Sequence, residues 1–226
     1  MKLGYQGPHG ARTYERSRLG MTVWATLCSL VLFALPMTSQ ATEEPDYTIV
    51  QKLERIEVRE YAAYTVAEVL MPGRRADAGN LAFPILAGYI FGKNKGARKF
   101  AMTAPVTQVA EPVKLEMTAP VTQTAVPGGF RVQFVLPKGV TLASAPEPLD
   151  SRVTLRDIAP SRVAVIRYSG FWSDSNYNQH LEELQSALRA ANMAWVGEPV
   201  HSRYNAPFTP WFMRRNEIWL HLAKAR

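Results

Sequence analysis

Val58-Arg-Glu-Tyr-Ala62 returns in altered form as Leu155-Arg-Asp-Ile-Ala159, 97 residues further along the chain. Each copy runs into an apolar stretch rich in β-branched residues, 64–70 after the first and 162–168 after the second. A helical segment and two more strands then follow in each case. The spacing predicts one domain made of two related halves, about 47–140 and 150–224, with residues 1–41 standing apart. The joint between the halves is Leu142-Ala-Ser-Ala-Pro-Glu-Pro-Leu-Asp150, whose two prolines disfavour regular structure.

Outward from the repeat, strands are predicted at 56–61, 64–70, 130–136, 153–158, 163–168 and 217–222. Their content is β-branched and aromatic, and several alternate, as where Gln133 separates Val132 from Phe134. A helix is predicted over 174–192, because Tyr177, Leu181, Leu184, Leu188 and Ala191 recur every three or four residues and form one stripe. Ser173 or Asp174 is placed to cap its start, and Asn192 to end it in a left-handed conformation. A second helix is predicted over 81–90, with Pro84 marking its first turn or a kink. Many strands with two helices indicate an α+β fold, either a barrel or a curved sheet.

A shorter repeat lies inside the first half. Ala101-Met-Thr-Ala-Pro-Val-Thr-Gln108 recurs as Glu116-Met-Thr-Ala-Pro-Val-Thr-Gln123, an offset of 15. That unit is too short for a solenoid and reads as two strands joined by a turn at Glu111-Pro112.

Composition narrows the function. The 226 residues are 47% apolar and carry 26 basic against 19 acidic side chains. Lys2, Arg12, Arg16 and Arg18 against Glu15 account for part of the excess, leaving 22 basic and 18 acidic residues beyond position 41. That balance is too even for a nucleic-acid footprint. Residues 21–37 form an uncharged apolar run ending near Pro36, and Ser39-Gln40-Ala41 supplies small residues for cleavage after Ala41. The expectation is an export signal over 1–41, a periplasmic or secreted product and no retained membrane span. The rival reading is an uncleaved anchor. Cys28, the single cysteine, lies within the signal, so the mature chain has no thiol nucleophile and no disulfide framework.

Signatures of catalysis are missing. No Gly-x-Gly-x-x-Gly, P-loop, Gly-x-Ser-x-Gly or His-Glu-x-x-His occurs, and no carboxylate pair has acid–base spacing. The chain is therefore expected not to be an enzyme. His180, at the edge of the helical stripe, is a candidate metal or haem-iron ligand or else a solvent-facing residue. His201 and His221 fall in predicted strands, and no pair has metal-site spacing. The densest segment is Arg203-Tyr-Asn-Ala-Pro-Phe-Thr-Pro-Trp-Phe-Met-Arg-Arg-Asn-Glu217, with four aromatics, two prolines and three arginines. It reads either as the wall of a site for a flat apolar ligand, with Arg214 and Arg215 holding carboxylates, or as a plug in which Trp211 and Phe212 close the barrel and an arginine pairs with Glu217.

Four blocks in order resemble the SOUL haem-binding-protein family. They are Phe83-Pro-Ile-Leu-Ala-Gly-Tyr-Ile-Phe-Gly92 with Asn94; Lys99-Phe-Ala-Met-Thr-Ala-Pro-Val106 with its copy at 115–121; Arg167-Tyr-Ser-Gly-Phe-Trp-Ser173; and Tyr204-Asn-Ala-Pro-Phe-Thr-Pro-Trp-Phe-Met-Arg-Arg-Asn-Glu-Ile-Trp219. The resemblance implies a distorted eight-stranded barrel of two pseudo-symmetric halves, each with a helix. It implies non-covalent binding of haem or another tetrapyrrole in an apolar groove, as a carrier or buffer without turnover. The alternative is an interaction or small-molecule-sensing module using the same groove without haem. Carried onto this chain, the groove maps to Phe83, Leu86, Ala87 and Ile90 with Tyr204, Phe208, Trp211, Phe212, Arg214 and Arg215. Where some animal members place basic side chains near the propionates, this sequence has Asn80, Gly88 and Thr209.

Overall fold

A computed structural model describes residues 43–96, 113–206 and 208–223. In chain order the elements are β1 (Tyr47–Leu53), β2 (Ile56–Tyr61), β3 (Tyr64–Met71), α1 (Arg75–Ile90), β4 (Val121–Val126), β5 (Gly129–Val135), β6 (Thr154–Ile158), β7 (Ser161–Tyr168), α2 (Asp174–Ala190), β8 (Trp195–Arg203) and β9 (Asn216–Leu222). All nine strands join one antiparallel sheet in the order β1-β2-β7-β9-β8-β4-β5-β3-β6.

That order contains the internal repeat. Leaving β1 aside, β2-β7-β9-β8 is mirrored by β6-β3-β5-β4 about the β8/β4 seam. The sequence offset of 97 carries Tyr64, the first residue of β3, onto Ser161, the first of β7. Each half also lends a strand to the other, since β2 pairs with β7 and β6 with β3.

The sheet does not close, and this corrects the expected eight-stranded barrel. Two-residue links, Ala62-Ala63 and Ala159-Pro160, join β2 to β3 and β6 to β7. Three peptide units reach about 10 Å, so these links curl the two ends of the sheet toward each other. The free edge of β2 is taken by β1, whose register runs from Tyr47 opposite Tyr61 to Leu53 opposite Ile56. A ladder from β2 to β6, which would complete a ring of eight, is thereby pre-empted.

Each helix covers one half of one face. Under α1, Ala78, Ala82, Leu86 and Ile90 pack on Ala67, Val69, Val132 and Phe134. Under α2, Leu184 and Leu188 pack on Ile56, Ala164, Ile166, Ile218 and Leu220. Ser173 caps α2, its Oγ accepting from the Asn176 amide, and Asn192 takes φ 54° just beyond the end, both as expected. By contrast, α1 begins at Arg75, well before the predicted start. Its first turns are Arg-Ala-Asp-Ala-Gly-Asn, small and polar residues without a stripe, and Ala78 and Gly79 are buried because their size lets the helix approach the sheet. Pro84 is an interior residue, neither first-turn nor terminal, and it is exposed. The opposite face of the sheet has its own smaller cluster around Tyr61, Val163, Val165 and Trp219. The first copy of the short repeat lies outside the described residues; the second enters the sheet as β4 from Val121 onward.

Candidate functional site

Strand alternation puts Glu217 and Trp219 of β9 on one face and Asn216 and Ile218 on the other. The two faces treat charge differently.

On the face away from the helices, Glu217 is fully buried and completely satisfied. Arg59 donates to it from Nη1 at 2.9 Å, Tyr204 Oη at 2.8 Å and Trp219 Nε1 at 2.8 Å, and Arg215 Nε donates at 3.0 Å. Arg215 in turn forks onto Glu44 at 2.7 and 3.1 Å and lies 3.7 Å from the Tyr204 ring centre. Burial pushes the Glu217 carboxyl up, but the Arg59 and Arg215 charges and the donated hydrogen bonds outweigh it and hold the group below its ordinary value. Two residues carried over from the resemblance, Tyr204 and Arg215, therefore serve this internal network. The expected pairing of an arginine with Glu217 occurs twice.

On the helix face the picture reverses. Gln123 of β4 and Arg203 of β8 form the floor of a cleft walled by Gly79, Asn80 and Phe83 of α1 and closed by Trp172, with His201 beneath it on the same face of β8. His201 is buried and accepts from or donates to Tyr168 Oη through Nε2 at 3.3 Å. Burial, reinforced by Arg203 and Arg75, drives its pKa well below the usual imidazole value, so it is neutral. Arg203 stands 4.5 Å from the Trp172 ring centre and Arg214 4.2 Å from the same ring. Trp172 is fixed by donating from Nε1 to Asn216 at 2.8 Å. The hollow between these residues is only about 40 Å³.

Beside the cleft lies an exposed aromatic cluster. Phe171 and Trp211 stack with centroids 5.3 Å apart, and Phe212 meets Trp211 edge-on at 5.5 Å. A single 3₁₀ turn, Trp211–Met213, holds the latter two, with the Gly170 amide donating to the Trp211 carbonyl at 3.0 Å and Arg214 Nε to the Thr209 carbonyl at 2.8 Å. Trp211 is 49% exposed, Phe212 61% and Phe208 90%. These rings are anchored through their backbone yet left in water, so they do not plug the sheet.

Of the helical residues expected to line a groove, Phe83 reaches the cleft, edge-on to Phe134 at 5.5 Å. Leu86, Ala87 and Ile90 are buried in the core beneath α1. His180 donates from Nδ1 to the Asn176 carbonyl at 2.7 Å and stacks on Tyr168 at 4.2 Å. That bond leaves Nε2 as its lone-pair nitrogen. Among the described residues no group of three metal-ligating side chains occurs, and no helix is long and apolar enough to cross a membrane. The sequence reading assigned no role to Phe171, Trp172, Gln123 or Arg203. The available signal was His201-x-Arg203, two polar residues on one strand face.

A larger hollow, about 530 Å³, lies elsewhere, at the corner where the sheet ends approach. Glu43, Glu44, Asp46 and Asp157 line it, a poor setting for an anionic ligand. The aromatic cluster and its cleft carry the more specific chemistry.

Comparison with known proteins agrees with this geometry at the level of fold and family. Heme-binding protein 2 of Homo sapiens is 31% identical over 139 residues, 61% of this chain and 63% of that protein. Heme-binding protein 1 of Mus musculus is 24% identical over 140 residues, 62% of this chain and 68% of that protein. The chain thus spans somewhat under two thirds of the length of the first relative. Among solved structures, the EcmrR chain of a DNA complex superposes with a TM-score of 0.52 over 92% of this chain and 65% of its own, at 10% identity, a likeness of fold alone. The profile of the SOUL heme-binding protein family matches residues 42–221, and the chain belongs to that family.

Proposed function

We propose that this protein binds haem or a related tetrapyrrole non-covalently and without turnover, as an exported carrier or buffer. One observation carries the reading: Phe171, Trp211 and Phe212 form a stacked aromatic surface that is structurally anchored yet exposed, next to a cleft edged by Arg203 and Arg214. Exposed apolar patches of this kind mark binding surfaces. A planar macrocycle would gain roughly 25 cal/mol for each Å² of apolar area it covers there. The names of the relatives support the same ligand class.

The residues present fit the ring and its carboxylates better than they fit the iron. No described histidine lines the cleft. His180 has the tautomer an iron ligand needs, with Nδ1–H held by a backbone carbonyl, and Nε2 is its candidate nitrogen. Haem, when bound, supplies the iron and the optical signal.

A hemin titration tests the proposal. Saturable Soret changes are expected, weakened about tenfold or more by Trp211→Ala, and unaltered band positions in His180→Ala would set that ligand aside. Titration indistinguishable from a non-binding control overturns the reading. The 40 Å³ hollow favours one rival, a smaller aromatic ligand in the same cleft, which would appear as an apolar compound retained through native purification with no haem signal. Export rests on the apolar run at 21–37, and N-terminal sequencing of the product from the cell envelope or medium should begin at Thr42.

A further inference from the structure

We propose that the cleft between α1 and the loop preceding α2 is a carboxylate-binding site whose anchor is Arg203. The inference rests on the preceding reading only in taking hemin as one bearer of the carboxylate. The site itself follows from charge accounting.

Arg203 points from the end of β8 into the seam between the halves and is largely buried. Among the described residues its side chain forms no salt bridge with a carboxylate, and its Nε is buried without a hydrogen-bond partner. Beside it, the Gln123 amide donates from Nε2 to the Arg75 carbonyl at 2.8 Å, while its Oε1 is also buried and unpartnered. The acid on the facing helix, Asp174, is taken by Arg75, whose guanidinium lies 3.8 Å from the Tyr177 ring centre. A buried cation without an anion is costly, and proteins pair such groups almost without exception. Burial, with Arg75 and Arg214 nearby, pushes the Arg203 pKa down to about 10, which leaves it a cation at neutral pH.

The surroundings are shaped for a small planar acid. Trp172 lies on one side, its ring centre 4.5 Å from the guanidinium carbon. On the other, α1 passes with Gly79, where a Cβ would come within 2.9 Å of Arg203 Nη1 and 3.4 Å of Gln123 Oε1. The hollow admits a carboxyl group, not a macrocycle. A ligand is therefore held by its acid inside the cleft, while its ring lies outside on Phe171 and Trp211. The forked donors of arginine match the two oxygens of a carboxylate.

The test compares wild type, Arg203→Met and Arg203→Lys in titrations with hemin and hemin dimethyl ester, and with 2-naphthoate and its methyl ester followed by tryptophan fluorescence. Wild type should prefer each free acid to its ester by roughly 10- to 100-fold, the range for a hydrogen-bonded charge. Arg203→Met should bind acid and ester alike at the ester's level, and Arg203→Lys should fall between. Without ligand, Arg203→Met should melt above wild type, because an uncompensated buried charge has been removed. An equal acid preference in wild type and Arg203→Met overturns the site, as does a melting temperature lowered in Arg203→Met. Failure of hemin with retained naphthoate preference would sink the tetrapyrrole reading and leave the site standing. Failure of both acids in wild type sinks the site. Inorganic phosphate displacing naphthoate at equal concentration would make it a phosphate site and overturn the carboxylate assignment.

Discussion

Arg59 and Arg203 are both carried inward by strands of the same sheet, one on each face. Arg59 finds Glu57 at 2.7 Å and Glu217 at 2.9 Å, and the second cation drawn to Glu217, Arg215, is balanced by Glu44. Arg203 has Trp172 for company and like charges as its neighbours. The difference separates two uses of a buried cation. A charge compensated within the chain specifies the fold. One left uncompensated by the described residues lowers stability and is explained by something that arrives later.

The comparison is broken most directly at Glu217. Glu217→Ala strands Arg59 and Arg215 without their shared acid, and a loss of about 3–5 kcal/mol in chemical denaturation is expected. A loss below about 1 kcal/mol would mean that the network is ornamental. Acid should act in the same direction. The native Glu217 carboxyl holds its proton less tightly than its ordinary 4.5, and the unfolded chain takes up the proton first. The stability it contributes is present above 4.5 and lost as pH falls through the lower native value. His201 acts earlier: its native pKa lies well below 6.5, so unfolding is favoured once pH drops under 6.5. Melting temperature should therefore decline in two stages on acidification, the first reduced in His201→Phe and carried there by His221, whose imidazole burial also holds below its ordinary value.

Next in size is the core under α2. Leu184 is fully buried between helix and sheet, and Leu184→Ala should cost about 2–5 kcal/mol. Pro84→Ala should act with the opposite sign. The proline sits inside α1, where it withholds an amide from the exposed Asn80 carbonyl, so alanine there should stabilise by about 1–2 kcal/mol after allowance for the freer unfolded chain. Because α1 is the wall over Arg203, a gain at position 84 with unchanged ligand binding would show that the cleft does not depend on the proline.

Six of the nine described strands and α2 were readable because apolar residues concentrate in them: β7 is buried without a break from Val163 to Ile166, and Leu184 and Leu188 repeat along α2. β1 was not, since Thr48 to Lys52 are exposed on an edge and carry no inward pattern. The start of α1 was hidden because small residues pack closely without looking hydrophobic. Within the site, Trp211, Phe212 and Phe83 were legible as large apolar residues in a proline-rich or helical context. Leu86 and Ile90 were assigned to a groove although the same helical spacing serves a core. Arg203 and Trp172 were unreadable as a pair, because what joins them is the meeting of β8 with the loop before α2, a contact that local pattern does not encode.

The smallest stability effect carries the sharpest functional meaning. Trp211 stacks on Phe171 but keeps half its surface in water, and its neighbours Phe212 and Phe208 are more exposed still. Nothing in the core closes over it, so Trp211→Ala should change unfolding free energy by no more than about 0.5 kcal/mol. A tryptophan that contributes so little to folding, held out by a 3₁₀ turn and a Gly170 hydrogen bond, is placed for contact with something other than its own chain. If thermal and chemical denaturation instead register a loss of 2 kcal/mol or more, roughly the cost of a buried large side chain, Trp211 belongs with Glu217 and Leu184 among the residues that build the fold. The division between a compensated interior and a ligand-facing cleft would then have to be redrawn around Phe171 and Arg203 alone.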